Sequence, residues 1–251
     1  MTPPGGLTQV LAGAATALVL ERVLLAAPPG GAARWARTNH RGATVSLLSG
    51  PTLALAAAVG ADLPRAAATV AALGAGAVGA YDDARGSRDQ AKGLRGHAAA
   101  LRAGRLTGGA VKVVGIGLTG LLSAHLAGRR DVVAAGAVVA ATANLVNLLD
   151  LRPGRALKAG GAAALVLRQP GPAAAAFALL PGDLRERTML GDAGANAFGA
   201  VLGLALLRRA PARPALAALV LLTTASEAVS YSRVIDAVPA LRWADRVGRR
   251  P

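Results

Sequence analysis

Apolar runs close to the length of a bilayer crossing recur along this chain, separated by polar segments of two kinds. By hydropathy the runs fall at roughly 7–27, 44–61, 65–81, 107–127, 132–149, 193–207 and 214–231, with a broken apolar region over 156–181. About twenty helical residues at 1.5 Å each cross the hydrocarbon core. The pattern therefore predicts an all-α, polytopic helical bundle. Within 156–181 the stretch "RQPGP" at 168–172 is a turn signal. It predicts two short, tilted or bilayer-thinning limbs of about 12–14 residues rather than one span. Nine membrane segments follow.

The polar segments set the expected orientation. "PPGGAARWARTNHRG", "DDARGSRDQAKGLRGHAAALRAGR", "DLRPGRALK", "GDLRERTMLGD" and the tail "SRVIDAVPALRWADRVGRRP" are long, whereas "ADLPR", "GRRD" and "RRAPAR" are short. With the long group inside, all but seven of the 28 Lys+Arg lie on that side; the exceptions are Arg65, Arg129, Arg130, Arg168, Arg208, Arg209 and Arg213. That bias predicts the N-terminus outside and the C-terminus inside. The short pair also matters for parity, because two crossings keep "YDDA" and "GDAG" on the same face. Residues 1–232 are expected to form one transmembrane domain. Residues 233–251 read as a basic amphipathic tail on the inner leaflet, with Val, Leu and Trp toward lipid and arginine toward headgroups.

Composition narrows the class. The chain is 53% hydrophobic and 16% charged, with mean hydropathy +0.46, which is too apolar for a soluble domain. Without cysteine there is neither a disulfide framework nor a thiolate metal site. The start, "MTPPGGLTQVLAGAATALVL", lacks the basic region and cleavage pattern of a signal peptide, so the first helix is expected to be retained. A net charge of +15 raises the question of nucleic acid. The basic residues, however, lie between apolar runs, and aromatics are only 2%, so stacking platforms are missing. A multi-pass protein of the plasma (inner) membrane is the expectation, with no nucleic-acid partner.

Three polar clusters then fall at helix ends on the inner face: "YDDA", "NLVNLLDLRPG" and "TMLGDAGANAFGAVLG". Two adjacent carboxylates, Asp82 and Asp83, would repel each other unless a cation or donor held them. With Asp192 they can hold magnesium, which takes oxygen ligands and keeps substrate phosphates in its shell. Asn147 and Asp150 are three apart, on one helical face, offering an amide and a carboxylate to the same cleft. In "GDAGAN", Gly191 and Gly194 permit close backbone approach, and the helix start favours an anionic ligand. Taken together, these residue types describe magnesium-assisted phosphate chemistry at a membrane surface.

The ordered set "RTNHRGATVSLLSGP", "YDDARG…KGLRGH", "NLVNLLDLRPG", "MLGDAGANAFGAVLG" resembles the polyprenyl-phosphate N-acetylhexosamine-1-phosphate transferases, over about residues 34–205. That family includes phospho-N-acetylmuramoyl-pentapeptide translocase and the UDP-N-acetylglucosamine–undecaprenyl-phosphate transferases. The resemblance implies that a polyprenyl phosphate attacks a UDP-sugar, giving a lipid-linked pyrophosphate sugar and UMP, with Mg2+, in cell-wall glycan precursor synthesis. It implies that Asp82, Asp83 and Asp192 are catalytic, with Asp83 and Asp192 at the metal. It implies substrate binding by Asn147, Asp150, Gly191 and Gly194, with Lys92, Lys112 and His97 contacting phosphate.

The chain departs from the family pattern in three places. "NLLDLRPG" has Pro153 where an acidic residue usually stands, Gly86 and Ser87 replace a lysine after the paired aspartates, and no histidine-rich loop precedes the C-terminus. The only histidines are His40, His97 and His125. These departures motivate an alternative: a catalytically degenerate relative that binds a lipid carrier as a scaffold. Spacings of small residues from Gly108 to Gly115 also permit a homodimer.

Overall fold

The computed structural model describes residues 5–85 and 107–249. It is 76% helical, and the all-α expectation holds apart from one short hairpin. Helix α1 runs Gly5–Ala26 and is followed by the single turn α2, Ala32–Trp35. The hairpin pairs β1 (Ala36–Thr38) antiparallel with β2 (Thr44–Ser46), so that Ala36 faces Ser46 and Thr38 faces Thr44. This hairpin takes up the start of the apolar run expected over 44–61, and helix α3 is correspondingly short, Ser49–Gly60. The reason is local. Asn39 Oδ1 accepts the N–H groups of Arg41 and Ala43, and Gly42 takes φ 82°, which closes a polar turn where a helix would have started.

The next helical segment is continuous and in three parts: α4 (Arg65–Thr69), a π-helical turn (Val70–Gly74) and α5 (Ala75–Arg85). A π-turn inserts one residue and so rotates everything beyond it by roughly 100°. That rotation sets the direction in which Asp82 and Asp83 leave the bundle. Helix α6 (Gly108–Leu126) starts at the Thr107 cap, whose side chain accepts the Ala110 N–H. Helix α7 (Val132–Leu149) starts at Asp131, which accepts from Ala134.

The broken apolar region is two helices, α8 (Arg155–Val166) and α9 (Pro170–Leu184), hinged where "RQPGP" was expected to turn. Pro170 opens α9, at the one helical position where its missing N–H costs nothing. Helices α10 (Gly191–Leu206) and α11 (Ala212–Ala228) complete the bundle, and α12 (Tyr231–Ala237) and α13 (Pro239–Arg246) form the tail.

Helix α10 is the axis of the fold and packs against α7, α5 and α3, while α1 packs against α9 and α3. From Ala193 to Ala205 every residue of α10 is buried. Phe198, fully buried, lies against Gly160 of α8, where a side chain would collide with its ring. The opposite faces point away from the protein: Leu7, Val19, Val113, Leu118 and Val133 are each more than half exposed. Among the described residues three helices, Gly6–Ala26, Gly108–Leu126 and Val132–Leu149, are long and apolar enough to cross a membrane. The chain is an all-α membrane protein.

Candidate functional site

At one end of the bundle the ends of α5, α6 and α10 meet. Asp82 leaves the last turn of α5, Lys112 the first turns of α6, and Asp192 the first turn of α10. Lys112 Nζ lies 2.7 Å from Asp192 Oδ2 and 3.1 Å from Asp82 Oδ2. The two carboxylates also face each other within hydrogen-bonding reach. All three side chains are 19–26% exposed, so the cluster opens to the outside.

Asp83 does a different job. Its Oδ1 accepts the Asp192 N–H at 3.1 Å and its Oδ2 accepts the Ala193 N–H at 3.0 Å. These are orphan donors at the start of α10, so the carboxylate of one helix caps the next. The Arg37 guanidinium of β1 donates to the Asp83 backbone oxygen, tying the hairpin to the same corner.

Two glycines allow this approach. Gly191 takes φ +60°, and a Cβ there would press on both Asp83 carboxylate oxygens. A Cβ on Gly79, one turn before Asp83, would run into the Asp192 backbone. Gly194 serves the crossing of α10 with α3, resting against Gly50.

A magnesium ion, the cofactor implied by the resemblance, is tested by this donor set. Asp82 and Asp192 already converge on one cationic atom, the Lys112 ammonium, so their geometry suits a cation. Both oxygens of Asp83 are engaged by backbone N–H groups. Among the described residues no three acidic or histidine side chains gather into a closed cage. Magnesium is commonly held by one or two carboxylates, with water and substrate phosphate completing its shell, and the Asp82–Asp192 pair fits that pattern.

The remaining expected residues divide. Asp150 ends α7 and lies beside Gly191, whose N–H it accepts. Asn147, one turn earlier, is half-buried. Lys92 and His97 lie outside the described residues. His40 sits in the hairpin turn and, with Asp150, lines a separate cavity of about 210 Å3. Burial and the neighbouring Arg152 charge push its imidazole below the usual value. His125 is exposed on the last turn of α6. The small-residue spacing of α6 is used within the chain, Gly115 against Val78 and Gly120 against Gly136.

Several polar residues went unnoticed in the sequence. Glu186 anchors the hairpin turn, accepting Asn39 Nδ2 at 2.6 Å and Arg41 Nη1 at 3.0 Å. Burial pushes its carboxyl up, but those two donors outweigh it and hold Glu186 below the ordinary glutamate value. Asn196 is fully buried one turn below Asp192, and neither amide atom has a partner. An Asn four residues after an aspartate in an otherwise apolar helix was the available signal.

At the opposite end of the bundle the charges form separate pairs, Asp62 with Arg208 at 3.3 Å and Asp131 with Arg213 at 3.0 Å. Fold and site together define a helical membrane protein with an acidic, lysine-bridged cluster at one mouth. Scanned against models of known protein families and against curated proteins, the chain matches none.

Proposed function

We propose that this protein is a magnesium-dependent transferase that moves a sugar-1-phosphate from a UDP-sugar to a polyprenyl phosphate at the cytoplasmic face of the plasma membrane. The observation that carries the reading is the meeting of Asp82 and Asp192 around one cationic position, from helices 110 residues apart. In this reading all nine helical segments lie in the bilayer, with the N-terminus out and the C-terminus in. The ordered motifs that resemble those of the polyprenyl-phosphate N-acetylhexosamine-1-phosphate transferases point to this substrate class.

Magnesium between Asp82 and Asp192 would neutralise phosphate charge during transfer. With magnesium held by the two carboxylates, Lys112 beside them would be available to bind a phosphate oxygen. Asp83 keeps the start of α10 fixed against α5, so the two ligands hold their separation. Asp150 lines the neighbouring cavity and orients the donor.

The test is release of UMP by purified protein in nanodiscs with Mg2+, undecaprenyl phosphate and UDP-sugars bearing free or acetylated amines. UMP release that is lost in Asp192→Asn is the expected result; no release from any donor contradicts the reading.

One observation favours a second reading. Lys112 already satisfies both carboxylates without a metal, as a degenerate relative serving as a lipid-carrier-binding scaffold would need. That reading predicts that Asp82→Asn and Asp192→Asn still complement a deletion strain, where the transferase reading predicts failure.

A further inference from the structure

A groove of about 540 Å3 lies between the last turns of α1 and the last turns of α9. Leu18, Leu25, Ala178 and Pro181 give it apolar walls. Leu18 and Leu25 are 42% and 43% exposed, so the groove opens on the outside of the bundle. Thr188, at its edge, bridges to Ser46 of β2 and stands three residues before Gly191, where α10 begins. The groove therefore sits at the end of the bundle that carries the Asp82–Asp192 cluster, but on a different side, against α1. At a helix end of a membrane protein, apolar surface gives way to the level of the lipid phosphates.

The polar lining is Glu21, Arg22, Arg187 and Thr188. Both arginines are exposed, and among the described residues neither guanidinium makes a hydrogen bond or a salt bridge. Glu21 Oε1 accepts the Ser49 hydroxyl at 2.8 Å. Two guanidiniums thus face one carboxyl, and the groove is cationic whether Glu21 is ionised or neutral. The nearest other acids are engaged on the far side of α9: Asp183 by the Gly154 N–H, Glu186 by Asn39 and Arg41. The Thr188 hydroxyl, on a residue 2% exposed, has no partner. A Cβ on Gly182 would lie 2.9 Å from that hydroxyl and 3.5 Å from Glu21 Oε1, so both oxygens stand on the α1 side of α9. Buried polar atoms of this kind are uncommon unless something else supplies the missing bond.

We infer that the groove between α1 and α9 binds an anionic bilayer phospholipid with a glycerol headgroup, of the phosphatidylglycerol type. Arg22 and Arg187 take the phosphodiester, as basic pockets between membrane helices do. The headgroup alcohols bond the Thr188 hydroxyl and the Glu21 carboxyl, and an acyl chain lies on Leu18 and Leu25. Choline and a terminal phosphate carry no alcohol, so neither meets the Thr188–Glu21 corner. The inference stands apart from the transferase reading, and UMP release bears on neither its success nor its failure.

Native mass spectrometry of the full chain in detergent, titrated with phosphatidylglycerol, phosphatidylcholine, phosphatidylethanolamine or undecaprenyl phosphate, tests it without turnover. The first phosphatidylglycerol should bind about fivefold more tightly than either zwitterionic lipid. Arg22→Gln and Arg187→Gln should each remove most of that preference, and Arg209→Gln, an equal charge change at the opposite end, should leave it intact. Thr188→Val should weaken phosphatidylglycerol about threefold, with Thr188→Ser retaining it. Equal binding of the three phospholipids overturns the inference, as does an equal loss in Arg209→Gln. Displacement of phosphatidylglycerol by equimolar undecaprenyl phosphate overturns it too, because the groove would then belong to the polyprenyl phosphate. The preference of the wild-type chain decides the matter even if a variant fails to fold.

Discussion

Lys112 and Asp192, 80 residues apart in the chain, meet at 2.7 Å, and the same ammonium lies 3.1 Å from Asp82. A cation therefore already sits where two like charges would otherwise repel, and removing it isolates what holds the corner together. In Lys112→Met the carboxylates face each other uncompensated, so stability without divalent ions should fall by about 1–2 kcal/mol for a partly exposed pair, read as a lower melting temperature. Added Mg2+ should raise it more than in wild type. Thermal unfolding in detergent with and without Mg2+ checks this. An equal Mg2+ response in both proteins would count against a shared position.

Asp83 is predicted to act through the fold. Asp83→Ala leaves two N–H groups at the start of α10 without acceptors and should cost about 1–3 kcal/mol, with Asp83→Asn losing less. Asp82→Ala, which caps nothing, should melt close to wild type. Unfolding titrations of the three variants give the order, and a reversed order would contradict the capping role.

The approach of α5 to α10 depends on Gly79. Gly79→Ala places a methyl against the Asp192 backbone and should part the helices, weakening both stability and cation binding. Gly117→Ala is the control, since a Cβ there meets nothing within 4 Å. If both substitutions behave alike in melting and in Mn2+ affinity, the close crossing carries no weight.

The tail is a docked clasp. Arg155 donates to Asp245 at 2.8 and 3.1 Å, Arg249 reaches both Asp245 and the Pro153 carbonyl, and Lys158 donates to the carbonyls of Ala244, Asp245 and Val247. Burial pushes the Asp245 carboxyl up, but Arg155 and Arg249 outweigh it and hold it below its ordinary 3.8. A depressed carboxylate stabilises above its unfolded value and loses that stability as pH falls through the folded one. Proteolysis of the 231–249 segment should be flat from pH 8 to about 4 and accelerate below that. Asp245→Ala leaves Arg155 buried and unpaired, at a cost of about 3 kcal/mol, and should expose the segment at every pH. A wild-type rate for that variant would show that the tail is held by other means.

Much of this layout was legible in the sequence. Helix ends could be read wherever an apolar run met a polar cluster, and "RQPGP" marked the break between α8 and α9 because proline suits a helix start. "YDDA" and "GDAG" meet at one corner of the bundle, which agrees with placing both on one face but does not by itself establish the crossings that parity counts. What could not be read was the division of labour between Asp82 and Asp83. Adjacent residues on a helix point about 100° apart, so which carboxylate meets the cation depends on the π-turn at Val70–Gly74. The hairpin at Ala36–Ser46 was missed because its side-chain anchor, Glu186, lies 147 residues from Asn39. In the tail the residues expected toward lipid, such as Leu241, stay exposed, and the two-sided pattern alone did not show that Asp245 faces Arg155. Trp243, 71% exposed, still points away.

The central claim is that Asp82 and Asp192 hold one divalent cation between α5 and α10. Mn2+ titration followed by electron paramagnetic resonance in nanodiscs tests it most directly. The account predicts one bound ion per chain, lost in Asp192→Asn and in Asp82→Asn and retained in Asp245→Asn. Binding that survives both substitutions, or no specific binding by the wild-type chain, would contradict it.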